Sequence, residues 1–476
     1  MNQSDYLSQD ALGLSGLIRA GQVTAAEVLE AALERADAVN SRINAITGSM
    51  TDTARALVKD GAPTGPLGGA PFLLKDLSAQ VAGVPTSAGS RLMADVVQAA
   101  DNAIVSSYRQ AGLVMFGKTN TPEFGLEPVT EPELFGPCRN PWDLTRTSGG
   151  SSGGAAAAVA AGIVPAAHAS DGGGSIRIPA ACCGLFGLKP TRGRVSFAPA
   201  NEGWGGFSIQ HAVTRSVRDS AALLDAVRTP QSGDPYWAAA PERPYLSEVG
   251  RDPGSLRIGF TTGGINVPTI DPECAAGVID AARLCESLGH QVFEVRLDWD
   301  YAAVQAAAGI IVAASLVATI DNESIRRGRP VKPDEVEAST WAFQEHGRSI
   351  TASAYIQALQ TAHAFGRVAA RQFEAFDVLL LSTLGSPAVP VGWLWEGGPH
   401  GFSRRLFEFM PNTQAFNVSG QPAMTVPLVW NADGLPIGIQ FVARAGDEST
   451  LFRLAGQLEQ ARPWGDRRPP STLERP

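Results

Sequence analysis

The sequence predicts a single α/β domain in which a mixed, mostly parallel-type β-sheet is covered by helices on both faces. Short apolar runs typical of buried strands alternate with segments of helical periodicity, most clearly over residues 256–295, where two strands flank a helix. No internal repeat and no linker-like segment interrupts the 476 residues. One domain over residues 1–476 is therefore the simplest interpretation.

The elements can be placed in chain order from local signals. A helical part is expected over residues 1–60, where Thr24 and Glu27 form the capping box of an amphipathic helix. After a Gly/Pro-rich stretch, the apolar residues 72–74 predict a strand that delivers Lys75. Further strands are expected at residues 113–116, 163–167, 256–260, 291–295, 378–381, 423–426 and 437–442, and helices near residues 8–20, 101–111, 154–161, 272–287, 300–375 and 448–460.

Composition excludes several classes of function. The net charge is −9 and no long basic run is present, which argues against nucleic acid as a partner. The five cysteines are too few and too irregularly spaced for a disulfide framework, and no CxxC pair suggests a zinc or redox site.

Residues 301–320 carry no charge and are long enough to cross a membrane. The segment is rich in alanine, contains polar residues and has acidic flanks, which favours a buried helix of a soluble enzyme. The first residues, MNQSDYLSQD, lack the basic start and apolar run of a signal peptide. We therefore expect a cytoplasmic protein without a membrane partner.

Residues 112–119 match the pattern of a phosphate-binding P-loop, GxxxxGKT, in letters only. The four intervening residues, Leu113 to Phe116, are apolar and predict a strand, whereas a phosphate cradle needs a glycine-rich loop followed by a helix. Pro122 follows almost at once. We therefore reject nucleotide binding.

Residues 149–153 match the GxSxG nucleophile elbow of α/β-hydrolases. An elbow must follow a core strand and needs a histidine as base. The preceding residues 140–147 resemble a loop, and none of the six histidines stands in a recognisable triad context. This alternative is also disfavoured.

Two glycine-dense turns, over residues 149–154 and 171–175, carry the strongest chemical signal. The second turn ends in four consecutive residues, Gly172 to Ser175, whose backbone N–H groups can converge on one oxyanion. Asp171 and Arg177 bracket this turn and could fix it by pairing. Lys75 ends an apolar strand, where burial would lower its pKa and make it a usable base.

At these residues the chain resembles the amidase signature family. The matching segments are PFLLKDL (71–77), GKTNTPEFG (117–125), RNPW (139–142), GGSSGG (149–154), SDGGGSIRIPAACCGLFGLKPTRGRVS (170–196) and FNVSGQPA (416–423). The resemblance is strongest over residues 71–196, which we expect to form the catalytic core. Ser151 and Ser175 are 175 − 151 = 24 residues apart, as in the family pattern.

The resemblance implies a role for each matching residue. Ser175 would be the nucleophile, Ser151 a bridging serine in a cis peptide and Lys75 the base. The residues that would support this triad are Ser152, Ser170, Asp171 and Arg177, and the backbone of Gly172, Gly173 and Gly174 would form the oxyanion hole. The implied mechanism passes through an acyl-enzyme and uses no metal and no cofactor.

Within the family, the phrases TEPE, RNPWDL, PAAH, DPECAA and PWGDRRP are most similar to 6-aminohexanoate-cyclic-dimer hydrolases. Two features depart from the family pattern. Ala169 and Ser170 stand where glycine and threonine are usual, which keeps a hydroxyl, and the proline usual after the strand at 378–381 is absent. The second departure lies on the pocket side and concerns substrate choice.

Together these observations predict an amidase that hydrolyses C–N bonds of carboxamides. Bulky apolar or aryl amides are the expected substrates, with nylon-type oligomers and carbamates included, because the variable segments, above all residues 300–410, are rich in large apolar side chains. The candidate pocket residues are Trp204, Phe207, Trp341, Trp393 and Phe402, with Phe343, Trp395 and Phe407 beside them. A small-molecule amide or carbamate is the expected partner, and a homodimer is left open.

Two alternatives stay open at this stage. The glutaminase subunit of a tRNA-dependent amidotransferase would share the triad and release ammonia from glutamine. A binding scaffold without activity is disfavoured, because all three triad positions are filled.

Overall fold

The strand at Pro71–Lys75 shows how the sheet organises the fold. Phe72 and Leu74 pack into one apolar core and Leu73 into the other, and all three side chains are buried. A strand that is buried on both sides needs helices on both sides of its sheet. The predicted α/β arrangement is thereby confirmed.

The computed structural model describes residues 1–200, 202–267 and 269–470. The strands are β1 (Ile46–Ser49), β2 (Pro71–Lys75), β3 (Val114–Thr119), β4 (Arg139–Asn140), β5 (Asp143–Thr147), β6 (Ala166–Asp171), β7 (Phe186–Lys189), β8 (Ile209–Thr214), β9 (Arg257–Phe260), β10 (Gln291–Glu294), β11 (Val378–Ser382), β12 (Ala423–Trp430) and β13 (Pro436–Ala443).

The helices are α1 (Gln3–Ser8), α2 (Ala11–Arg19), α3 (Ala25–Ile43), α4 (Thr51–Val58), α5 (Ala103–Gln110), α6 (Gly153–Ala160), α7 (Arg177–Cys183), α8 (Val217–Val227), α9 (Pro272–Ser287), α10 (Tyr301–Arg327), α11 (Ala338–Arg348), α12 (Ala352–Gln372), α13 (Gly398–Phe409), α14 (Ala415–Ser419) and α15 (Glu448–Ala461). Thr24 and Glu27 form the predicted capping box at the start of α3.

Eleven of these strands form one mixed sheet in the order β1-β3-β2-β6-β8-β7-β12-β13-β11-β9-β10. The parallel pairs lie on its two flanks, β3-β2-β6 and β11-β9-β10. Between these flanks the strand pairs are antiparallel, as is β1 with β3. The remaining strands, β4 and β5, form a separate hairpin.

Elements with a regular apolar pattern lie where the sequence predicted them, and α9 spans the predicted residues 272–287. The sequence missed β1, β7 and β8, predicted a loop over residues 140–147 where β4 and β5 form a hairpin, and placed the strand at 163–167 rather than at β6. The physical reason is buried polarity, since β6 contains His168, Ser170 and Asp171, all buried. Strands that bury polar side chains lose the apolar pattern by which strands are recognised.

Helix α10 is long and apolar enough by length and composition to cross a membrane. Its residues Val304, Ala308 and Ile311 are buried in one cluster with Ala362 and Phe365 of α12. This packing supports the interpretation of α10 as a helix of the protein core.

Candidate active site

Lys75 reaches the site because side chains alternate along β2. It shares a face of the sheet with Leu73, the face that α6 covers. Its Nζ atom lies 2.7 Å from the Ser151 Oγ, just before α6, and 3.1 Å from the Ser170 Oγ on the neighbouring strand β6. The structure therefore brings three of the predicted site residues into direct contact.

The Lys75 side chain is fully buried. Burial lowers its pKa from 10.5 to about 7, because the ammonium loses its hydration, while the Asp171 carboxylate opposes this shift. Near neutral pH the amine is therefore available in its neutral form, which can accept a proton from a hydroxyl.

Two glycines leave room for Ser151. The Gly150–Ser151 peptide is cis, as the resemblance implied. A Cβ on Gly150 would lie 2.5 Å from the Val129 carbonyl oxygen, so no side chain fits there. Gly125 has a φ of +69°, and a Cβ on it would lie 3.1 Å from the Ser151 Oγ.

Ser152 ties the start of α6 to β6. Its hydroxyl donates to the Ser170 carbonyl oxygen at 3.2 Å and accepts from the Ser170 N–H at 3.3 Å. These two hydrogen bonds fix the backbone of Ser170, whose own hydroxyl contacts Lys75.

A buried ion pair holds the turn after β6. The Arg177 guanidinium donates to both carboxylate oxygens of Asp171 at 2.9 Å, and neither side chain is exposed. Burial alone would raise the pKa of Asp171, but the adjacent charge of Arg177 lowers it to about 2. Asp171 also accepts the N–H of Ile176 at 3.2 Å, so the carboxylate closes the turn around Ser175.

The turn between Asp171 and Ile176 presents free backbone donors. Among the described residues, the N–H groups from Gly172 to Ser175 find no acceptor. The Thr413 hydroxyl donates to the Gly173 carbonyl oxygen at 2.6 Å, which fixes that peptide plane. The arrangement can accept an anionic oxygen.

Ser175 is 8% exposed and lines a cavity of about 630 Å³, together with Gly173. The remaining wall is largely apolar and comes from the loop after β3 and from α10, α11 and α13. Its large apolar side chains are Leu126, Ile178, Trp204, Phe343, Trp395, Phe402, Leu406, Phe407 and Met410. The rings of Trp395 and Phe402 are stacked, with centroids 4.3 Å apart.

Two of the five predicted pocket aromatics, Trp204 and Phe402, therefore lie at the cavity, and the other three do not. Phe207 is buried in the core against Arg192. Trp341 packs near the outer surface of α11 beside Ile320, and the Trp393 ring is covered by Arg405. Sequence position places a residue in a variable segment but does not tell which way its side chain faces.

Sequence reasoning missed an acidic part of the cavity wall. Glu123, Glu127 and Glu337 line it. Burial, with the neighbouring carboxylates, raises the pKa of Glu127 to about 8 and that of Glu337 to about 7. The Glu127 carboxylate accepts the Trp395 indole N–H at 3.0 Å. The sequence holds one signal that Glu127 lies near the site, because this residue directly follows the segment GKTNTPEFGL. It holds no such signal for Glu337.

The rejected alternatives also fail on geometry. Lys118 lies inside β3, is buried and donates to the Ala79 carbonyl oxygen, so it is not part of a phosphate loop. Ser151 follows the β4–β5 hairpin rather than a strand of the main sheet. In the described residues, no histidine forms a hydrogen bond with Ser151 or Ser175.

The fold and the site define a class of hydrolases, distinct from the α/β-hydrolase fold, in which a lysine rather than a histidine contacts the hydroxyl of a site serine, here Ser151. The profile of the Amidase family matches residues 27–452, which is most of the chain. The chain belongs to the amidase family and is a hydrolase that acts on amide C–N bonds.

Individual relatives agree with this assignment. The chain is 38% identical to the 6-aminohexanoate-cyclic-dimer hydrolase of Paenarthrobacter ureafaciens, over 97% of both chains. It is also 38% identical to the putative amidase AmiB2 of Mycobacterium tuberculosis (strain CDC 1551 / Oshkosh), over 98% of this chain and 99% of the relative.

Solved structures show the same fold. The structure of 6-aminohexanoate cyclic dimer hydrolase complexed with substrate has a TM-score of 0.93 at 37% identity and covers 97% of this chain and 99% of its own. A bacterial aryl acylamidase of the amidase signature family has a TM-score of 0.87 at 26% identity, over 98% of this chain and 97% of its own.

Proposed function

We propose that this amidase transfers the acyl group of its substrate to Ser175, with Ser151 and Lys75 relaying the proton. The observation that carries the proposal is the contact between the Lys75 Nζ and the Ser151 Oγ, 2.7 Å long and fully buried. An ammonium donates this hydrogen bond, whereas the neutral amine accepts it from the hydroxyl. Because the pKa of Lys75 is lowered to about 7, the accepting form is present at neutral pH.

Acyl transfer moves one proton along the relay and back. The Ser175 oxygen forms a bond to the carbonyl carbon while its proton passes to Ser151, whose own proton passes to Lys75. The tetrahedral intermediate then expels the amine, which takes the proton back through the same relay. Water repeats the sequence on the acyl-enzyme, releases the acid and restores all three side chains.

The turn that carries Ser175 would stabilise the oxyanion. Its four N–H groups have no acceptor among the described residues and are therefore available to the developing negative charge. Gly174 adopts a φ of +140°, and a Cβ there would lie 2.5 Å from the Thr413 Oγ1. A residue with a side chain would therefore displace either the turn or Thr413, which sets the Gly173 peptide.

For the substrate we propose bulky apolar or aryl amides, including linear or cyclic nylon-type oligomers, and carbamates that present the same carbonyl. A cavity of about 630 Å³ with stacked Trp395 and Phe402 suits such groups. Each Å² of apolar surface buried contributes about 25 cal/mol. Glutamine would leave most of this wall uncovered, which argues against the glutaminase alternative. A homodimer and a cytoplasmic location stay predictions from the sequence.

Covalent labelling tests the nucleophile. We expect a fluorophosphonate probe to label the wild-type enzyme, while Ser175→Ala is neither labelled nor active although its melting temperature is unchanged. The surface variant Ser247→Ala is the matched control and should be labelled like the wild type. Activity of Ser175→Ala above a trace would refute the assignment.

A substrate panel tests the cavity. kcat/KM is compared for hexanoyl p-nitroanilide, an aryl carbamate, the linear 6-aminohexanoate dimer and glutamine. The anilide should exceed glutamine by at least about tenfold, which corresponds to about 1.4 kcal/mol in transition-state binding. Glutamine as the best substrate by the same factor would restore the glutaminase interpretation.

A further inference from the structure

A second cavity, of about 210 Å³, adjoins the cavity that contains Ser175. Two residues, Leu126 and Trp204, line both cavities. They therefore form the wall between the two spaces. No predicted site residue other than Trp204 lines the second cavity.

Trp204 holds an unusual position in this wall. Its φ is +54°, a conformation that costs a bulky residue about 1–3 kcal/mol and that often marks a functional constraint. Its ring lies directly against the turn that carries the nucleophile, since a Cβ on Gly172 would be only 2.6 Å from the ring atoms Cε3 and Cζ3. The wall and the proposed oxyanion turn are thus built against each other.

The second cavity has a mixed lining. Leu77, Met93 and Leu316 contribute apolar surface, whereas Gln80 and Gln98 contribute side-chain amides. Among the described residues, neither side-chain amide has a hydrogen-bond partner. A lining of this kind suits a chain in which methylene runs alternate with amide groups, because the methylenes meet apolar surface and the substrate amides can pair with the glutamines.

We propose that Trp204 is a specificity-determining residue that closes the catalytic cavity on this side and keeps the distal amide unit of a linear oligoamide out of the second cavity, which would hold that unit if the wall were open. This inference rests on the proposed function, because it extends the same substrate beyond the bond that is cleaved. In the wild type, the indole limits the substrate to what the catalytic cavity holds. Removal of the indole joins the two spaces.

The test uses Trp204→Ala with matched substrates that contain one or two amide groups. One series extends hexanoyl p-nitroanilide on the acyl side to 6-acetamidohexanoyl p-nitroanilide, and the other extends an N-alkyl hexanamide on the amine side by one 6-aminohexanoyl unit. In at least one series, the variant should raise the ratio of kcat/KM for the two-amide compound to that for the one-amide compound by at least about tenfold. Unchanged ratios in both series would overturn the proposal.

Two further variants separate a subsite from a mere loss of bulk. In the Trp204→Ala background, Gln98→Leu should remove most of the gain for the two-amide compound, since it takes away an amide of the second cavity. Trp237→Ala, at a tryptophan that is 71% exposed, should leave the ratios at the wild-type value. A gain that Gln98→Leu does not reduce would overturn the assignment of the second cavity.

Failure of this inference is distinguishable from failure of the proposed function. Fluorophosphonate labelling of Ser175 in Trp204→Ala reports the nucleophile without any need for the second cavity. If labelling of Ser175 slows and all amides lose activity in the same proportion, Trp204 only supports the turn at Gly172 and the inference is wrong, while the position of the label still identifies the nucleophile.

Discussion

Replacement of Lys75 by methionine should abolish activity and, at the same time, change how stability depends on pH. Methionine has nearly the same length and shape but no charge, so it fits the buried site between β2 and α6. The wild-type enzyme must bury this amine in its neutral form. Above its lowered pKa, folding therefore requires the loss of a proton that the unfolded chain keeps.

The magnitude follows from the pKa of Lys75, which is 10.5 when unperturbed and about 7 in the folded protein. At pH 7.5, deprotonation costs about (10.5 − 7.5) × 1.36, or about 4 kcal/mol of folding free energy. At pH 9 the cost falls to about 2 kcal/mol. The methionine variant avoids this cost but leaves the hydroxyls of Ser151 and Ser170 without their partner, which opposes the gain by about 1–3 kcal/mol at either pH.

Unfolding of the wild type takes up a proton at Lys75 that unfolding of the methionine variant does not. Between pH 7 and 10.5 the unfolded chain binds the extra proton, so the wild type gains stability as the pH rises, relative to the variant. The free energy of unfolding of Lys75→Met minus that of the wild type should therefore decrease by about 2 kcal/mol between pH 7.5 and pH 9. Urea unfolding followed by both tryptophan fluorescence and circular dichroism measures it. A difference that does not depend on pH would refute the neutral amine.

Two shorter predictions concern activity. kcat/KM should rise with pH through an apparent pKa near 7, because only neutral Lys75 accepts a proton. The variant Glu127→Gln removes the cavity group with a pKa of about 8 and should keep this rise. If the rise disappears in Glu127→Gln, it belongs to Glu127 and not to Lys75. Gly125→Ala should lower kcat at least about tenfold, because its Cβ would lie 2.7 Å from the Leu77 Cδ2 and 3.1 Å from the Ser151 Oγ. Gly434→Ala has a similar φ of +78° with nothing within 4 Å, so equal losses in both variants would show that only backbone strain matters.

The amidase activity and the contact between Lys75 and Ser151 could be predicted from sequence, because they depend on short motifs in which each residue type is required. Lys75 ends a strand whose alternation fixes its direction, and the glycines around Ser151 and Ser175 mark close backbone approach. The strand β8 could not be predicted, because Gln210 and His211 are buried without an apolar pattern, and β7 could not, because its four residues include Gly187 and the buried Lys189.

The cavity wall was predictable only in part. It is assembled from residues far apart in sequence, such as Glu127 after β3 and Glu337 before α11, and only folding brings them together. Helix α13 contributes Phe402 and Phe407 to the wall, whereas Trp393, before the same helix, turns away and lies under Arg405. The direction of such side chains depends on helix orientation, which local sequence does not encode.

The buried pair of Asp171 and Arg177 contributes to stability through a network of hydrogen bonds. Arg177 also donates to the Thr413 carbonyl oxygen, the Gln440 side chain and the Asn417 side chain at 2.6–2.8 Å. Together with the two bonds to Asp171, these contacts use all five N–H groups of the guanidinium. Arg177→Met should destabilise the protein by about 3–5 kcal/mol at pH 7, because it strands a buried carboxylate. Urea unfolding of the variant and the wild type measures this loss.

The pH dependence distinguishes a stranded charge from lost packing. In the wild type the pKa of Asp171 is lowered to about 2, so its contribution to stability is present above its ordinary pKa of 3.8 and is lost as the pH falls toward 2. Without Arg177, burial raises the pKa of Asp171, and protonation removes the penalty on acidification. The deficit of Arg177→Met should therefore shrink between pH 7 and pH 4.5, and Asp171→Asn should rescue part of it at pH 7. A deficit that is equal at both pH values and is not rescued would show that the guanidinium acts by packing alone.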